Sequence, residues 1–165
     1  DRSPSRGLGD VYKRQQYHST MNVGPWQLRG PFTTTSALYH GQPVALSLSI
    51  AHAFAGHTMI ELIQQHDDKP SVYKDTIEAT GYGFHHWGVS CPDYETKLQR
   101  LQDDGKAIAF EDKTAIGTRV AYFDFRNEMG GFIEYIEMNE VAEARYTAMF
   151  ARALVWDRSE LIVRL

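Results

Sequence analysis

A chain of 165 residues with 42% hydrophobic content is long enough to bury a core without staples, as one domain or two small modules sharing one interior. A net charge of −4 without any Lys/Arg run argues against nucleic acid as a partner. The single Cys91 excludes an internal disulfide framework, and neither a bilayer-length apolar run nor a signal-peptide core is legible, so a cytoplasmic globular protein without a membrane partner is expected.

Residues 5–15 read SRGLGDVYKRQ, and all eleven match the translation of a transposon-end sequencing adapter. Residues 1–15 are therefore set apart from fold reasoning as a non-native, adapter-like segment. The native reading is expected to begin near Gln16, with an opening strand lost before it.

From Gln16 the string QYHSTMN predicts a short helical remnant, closed by the turn Val23-Gly24-Pro25. A strand follows at WQLRGPF (26–32), then a polar connection through Gln42. PVALSLSIAHAF (43–54) alternates, with Val44, Leu46, Leu48 and Ile50 on one face and Ala45, Ser47 and Ser49 on the other. That is the period of a half-buried strand. Ala55-Gly56 turns the chain into a strand at HTMIELIQQ (57–65). HDDKPSVYKDTIEATGYG then reads as a polar linker with a short helix at 71–79.

The pattern starts again at GFHHWGVS (83–90), a strand. Pro92 opens a helix whose first turn carries Asp93 and Glu95, where negative charge suits the helix dipole. Tyr94, Leu98 and Leu101 make its buried stripe, and Gly105 stops it. KAIAFED, TRVAYFDF and GFIEYIEM predict three strands, and a last helix is expected over 140–154.

The second half thus reads β-α-β-β-β and the first half α-β-β-β. MIELI (59–63) and FIEYI (132–136) each centre a glutamate in an apolar strand, 73 residues apart (134 − 61). Internal duplication explains this. The expected organisation is a truncated first βαβββ module at 16–70, a linker at 71–82, a second module at 83–138, and a C-terminal helix and tail at 139–165. The tail is expected to pack structurally, over the sheets or against a second subunit of a homodimer.

On a strand, residues two apart share a face. Glu61 therefore lies with Met59 and Ile63, and Glu134 with Phe132 and Ile136. A carboxylate on an apolar face is costly unless a charge or metal compensates it, and matched positions in two repeats make coincidence a poor explanation. For the histidines, alternation groups His86 with Phe84, Gly88 and Ser90, and His85 with Trp87 and Val89. Periodicity does not choose between them. Histidine with carboxylates is a divalent-metal ligand set.

The order of modules, GFHHWGV opening a repeat and GGFIEYIE closing it, resembles the vicinal oxygen chelate superfamily of glyoxalases, methylmalonyl-CoA epimerases, extradiol dioxygenases and bleomycin-resistance proteins. NVGPW and IELIQQ are similar to its epimerase-related, glyoxalase-like branch. The resemblance spans about residues 16–138. It implies an α+β fold of paired βαβββ modules whose curved sheets form a barrel-like cleft around one metal. It also implies Glu61, His86 and Glu134 as metal ligands, with His85 facing the other way. The fourth ligand, matched through Gly24 and Gly105, falls near residue 5. No histidine occurs in residues 1–15, so weak metal binding and impaired activity are expected of this chain.

The same resemblance implies a divalent ion (Zn, Co, Ni, Mn, Mg or Fe) and a small carbonyl or acyl-thioester substrate. The reaction would be a lyase or isomerase (epimerase) step, removing a proton α to a polarised carbonyl with Glu134 as its base. Gln64, Gln65 and Tyr122 are candidate lining residues. A metal-free drug-sequestering protein and an Fe(II) ring-cleaving dioxygenase are the competing readings.

Overall fold

The alternating and apolar stretches between Trp26 and Glu137 condense into strands of two separate sheets in the computed structural model, which describes residues 19–20 and 22–164. The adapter-like segment and the ligand position near residue 5 lie outside the described residues. So does most of the helical remnant, of which residues 19 and 20 are helical. In chain order the elements are β1 (Trp26–Thr33), β2 (Leu38–Tyr39), β3 (Gln42–Pro43), β4 (Ser47–Ala55) and β5 (Thr58–Gln65). Then come α1 (Val72–Thr80), β6 (His86–Cys91), α2 (Tyr94–Asp103), β7 (Ile108–Lys113) and β8 (Arg119–Phe125). The last are α3 (Arg126–Met129), β9 (Gly131–Glu137), α4 (Glu140–Leu154) and β10 (Ile162–Arg164). The class is α+β, as the sequence predicts. The described residues form two units: one of those up to 32 with 48–66 and 144–164, the other of 33–47 and 67–143.

In the first unit the sheet order is β10-β1-β4-β5. Its core gathers Val23, Trp26, Leu28, Ala51 and Ala53, with Ile60, Leu62 and Ile162 against them. Trp26 is fully buried, and the small side chains of Ala51 and Ala53 leave room for its indole. Burying a tryptophan removes about 200 Å² from water, roughly 5 kcal/mol by area and an upper estimate. Because Ile60 and Leu62 face this core, alternation turns Met59, Glu61 and Ile63 to the opposite face. The C-terminal tail adds β10 parallel to β1, Trp26 opposite Ile162, and Trp26 N–H donates to the Leu161 carbonyl at 2.8 Å. Trp156 lies so close to Gly24 that a Cβ there would come 2.4 Å from the indole. Among the described residues β5 is an edge strand.

The strand expected from residue 43 begins instead at Ser47, and what reads as a polar connection supplies β2 and β3 to the other sheet, Leu38 pairing with Glu111. The predicted alternation also fails at Leu48 and Ser49, neighbours that are both buried. A hydroxyl can be buried when it is hydrogen-bonded, and Ser49 Oγ meets His66 Nε2 at 2.8 Å.

The second unit carries a six-stranded sheet, β3-β2-β7-β8-β9-β6. β7, β8 and β9 form an antiparallel meander, and β6 joins β9 in parallel. A parallel neighbour needs a long crossover, and the chain from β6 through α2 to β9 supplies it. Helix α2 buries Tyr94 and Leu98 against Cys91, Ala121, Phe123, Ile133 and Tyr135. This leaves Tyr122, Phe132 and Glu134 on the other face by alternation. Helix α1 begins at a buried Ser71, whose hydroxyl accepts from Lys74 N–H at 3.1 Å, a cap worth about 1 kcal/mol. Among the described residues, no helix is long and apolar enough to cross a membrane.

Candidate metal centre

Glu134 is the fourth residue of β9 and Glu61 the fourth of β5, so the two glutamates hold the same place in their strands. Glu134 is buried, at 7% exposure. Its ladder partner on β6 is Gly88, and His86 lies one pleat away on the same face, opposite Phe132. The missing side chain at Gly88 leaves the carboxylate room to lean towards the imidazole. His86 Nε2 and Glu134 Oε2 are 3.4 Å apart, with each side chain only 9% accessible. That is beyond the usual N–H···O range of about 2.7–3.2 Å. A nitrogen and a carboxylate oxygen held together, dry and slightly apart, are a donor set that suits a divalent cation.

His85 does not face the other way. The strand begins at His86, so strict alternation does not extend back to residue 85. The His85 ring instead stacks on Phe132, with centroids 5.3 Å apart, and lies 5.1 Å from Tyr73. Its Nδ1 is 2.9 Å from Nδ1 of His86, and its Nε2 is 3.1 Å from the Val72 carbonyl. Tyr122, opposite Glu134 on β8, is buried at 2% exposure with its ring 5.3 Å from that of His86. Tyr122 is thus the lining candidate that the second unit itself sets beside this pair. Gln64 and Gln65 are half-buried residues of β5, opposite Ser49 and Leu48.

In the first unit, Glu61 pairs across the hairpin with His52, whose Nε2 is 2.9 Å from Glu61 Oε1. Sequence reasoning missed His52. The signal was present, because a two-residue turn at Gly56 and His57 sets Ala55 opposite Thr58 and hence His52 opposite Glu61. His52 thus holds in its hairpin the place Tyr122 holds beside Glu134. The structure brings His86 and Glu134 together in one unit and joins Glu61 to His52 in the other. Burial pushes the Cys91 thiol pKa up, away from the reactive thiolate.

Residues 11–122 match the Glyoxalase/Bleomycin resistance protein/Dioxygenase superfamily, and the chain belongs to that family. Among solved structures it is similar to a hypothetical protein from Bacillus halodurans C-125, at 20% identity and a TM-score of 0.55, covering 82% of this chain and 88% of that one. It is also similar to methylmalonyl-CoA epimerase from Mycobacterium tuberculosis, at 15% identity and a TM-score of 0.54, over 81% of this chain and 83% of that one. A third likeness is to a Streptomyces coelicolor methylmalonyl-CoA epimerase variant in complex with 2-nitronate-propionyl-CoA, at 13% identity and a TM-score of 0.52, covering 79% and 88% of the two chains. At such identities the likeness is one of fold. No curated protein matches the chain.

Proposed function

We propose that the chain is built for metal-assisted proton transfer at the carbon next to a carbonyl, on a small carbonyl or acyl-thioester substrate. The observation that carries this reading is the approach of His86 Nε2 to Glu134 Oε2 at 3.4 Å with both side chains shut away from water. Glu61, on the matching strand position, is proposed as the third ligand, completing one imidazole and two carboxylates. A divalent ion bound there would polarise the substrate carbonyl and acidify the adjacent C–H bond. Glu134 is the base in this scheme. The C–H bond breaks, its proton passes to a Glu134 carboxylate oxygen, and return of a proton to the same carbon or its neighbour gives epimerisation or isomerisation. Phe132 and Tyr122 flank the pair and exclude water, which strengthens its electrostatics.

The epimerase neighbours support an acyl-thioester as the substrate class, since the Streptomyces coelicolor variant is in complex with 2-nitronate-propionyl-CoA. A ring-cleaving iron site needs two imidazoles and one carboxylate from a single module. Here the ring nitrogens of His85 engage His86 and Val72, which disfavours that alternative. The test is exchange of the α-proton of an acyl-CoA thioester in D2O, followed by NMR with and without added Co2+. Slow metal-dependent exchange is expected of this chain, lost in Glu134→Gln and faster once a first-strand histidine is supplied. Exchange indifferent to both metal and Glu134 would refute the proposal, and tight ligand binding with no exchange would favour a sequestering protein.

A further inference from the structure

The hydrogen bonds around His85 define where its protons sit. The Val72 carbonyl can only accept, so His85 Nε2, at 3.1 Å, carries a proton and donates. In a neutral ring Nδ1 is then an acceptor. The 2.9 Å contact between the two Nδ1 atoms therefore draws its proton from His86. With Nδ1 of His86 protonated, Nε2 presents a lone pair, and it is Nε2 that lies 3.4 Å from Glu134. A metal-bound histidine needs that tautomer and is commonly held in it by an acceptor on its far nitrogen.

We propose that His85 is a positioning residue that locks His86 in its Nδ1–H tautomer and aims Nε2 at the metal. The inference rests on the metal reading of His86 and Glu134. The relay runs from the backbone of α1 through His85 to His86. The Phe132 ring, tilted 28° from that of His85, holds the plane of the first imidazole, and Tyr73 closes on it at 5.1 Å. The adjacent histidines thus divide the work: one would bind, and the other would set how it binds.

The test compares the full chain with His85→Phe and His85→Gln. Phenylalanine keeps the ring packing and removes the acceptor, whereas a glutamine amide can accept from His86 and donate to Val72. Co2+ affinity, read from its visible absorption, should fall about 10–100-fold in His85→Phe and recover to within about three-fold in His85→Gln. Independently, 15N NMR of the metal-free parent at mildly alkaline pH should find the His86 proton on Nδ1, shifting towards Nε2 in His85→Phe. Unchanged Co2+ affinity in His85→Phe, or a His86 proton on Nε2 in the parent, overturns the proposal. Failure of the parent to take up Co2+ would instead overturn the metal reading, and the two are told apart because the tautomer is read without metal. That reading also needs no variant, so misfolding of His85→Phe leaves the claim open to refutation.

Discussion

Gly88 lies directly across the β6–β9 ladder from Glu134, and a Cβ built on it would sit 3.6 Å from the carboxylate Oε2. That is ordinary van der Waals contact. Gly88→Ala should therefore fold normally and keep its metal affinity, whereas Gly88→Leu should push the carboxylate from His86 and weaken Co2+ binding by about ten-fold or more, a loss typical of disturbed ligand geometry. Calorimetric titration of both variants checks this, and equal affinities would place the Glu134 carboxylate elsewhere.

Glu134→Gln keeps the shape of the side chain and removes its charge. Metal affinity should fall and α-proton exchange should vanish, because an amide is neither an anionic ligand nor a base at neutral pH. Thermal stability of the metal-free chain should change little or rise, since a buried carboxylate is costly when no cation compensates it. Metal titration and differential scanning calorimetry on the same samples separate the two effects.

The first-module ligand expected near residue 5 invites a constructive test. Replacing residues 1–15 by an alternating apolar strand with a histidine at position 5 should raise Co2+ affinity by about ten-fold or more, since one further imidazole joins the ligand set. The same strand with alanine at that position should not. Equal affinities for the two would remove the fourth-ligand expectation.

The Arg119 guanidinium grips Glu137 with two hydrogen bonds, at 2.9 and 2.7 Å, and that contact lowers the Glu137 pKa from its ordinary value. A lowered carboxyl pKa adds stability that is complete above the unfolded value of about 4.3 and is lost as pH falls through the lower folded value. The two side chains are 38% and 26% accessible, so screening limits the pair to about 1 kcal/mol or less. Arg119→Gln should thus lower the urea midpoint at neutral pH, and the gap from the parent should close below the ordinary glutamate range. A gap independent of pH would mean that Arg119 acts through its packing on Tyr94, whose ring it covers at 4.8 Å.

Ser71→Ala removes a buried cap and should cost about 1 kcal/mol, lowering the melting temperature by roughly 2–4 °C. Because Val72 receives the His85 hydrogen bond, the variant also tests whether a loosened α1 weakens Co2+ binding.

Strand period and helix punctuation are local properties, and they made the second unit legible in advance. Tyr94, Leu98 and the Gly105 stop marked α2, and the glutamates of MIELI and FIEYI marked equivalent strand positions. That repetition suggested a duplicated module, and the resemblance of GFHHWGV and GGFIEYIE to the superfamily implied the α+β class. What the linear chain cannot express is where alternation ends. His85 stands one residue before its strand, so stacking on Phe132 and a carbonyl on α1 decided its direction. Residues 38–43 likewise read as a polar connection, yet Leu38–Tyr39 pair with β7 and Gln42–Pro43 pair with β2 in turn, because a backbone edge takes up hydrogen bonds whatever the side chains. The histidine and glutamate were visible in the sequence; the protons that prepare one to meet the other depend on atoms 13 residues apart in the chain, which only the tertiary fold brings together.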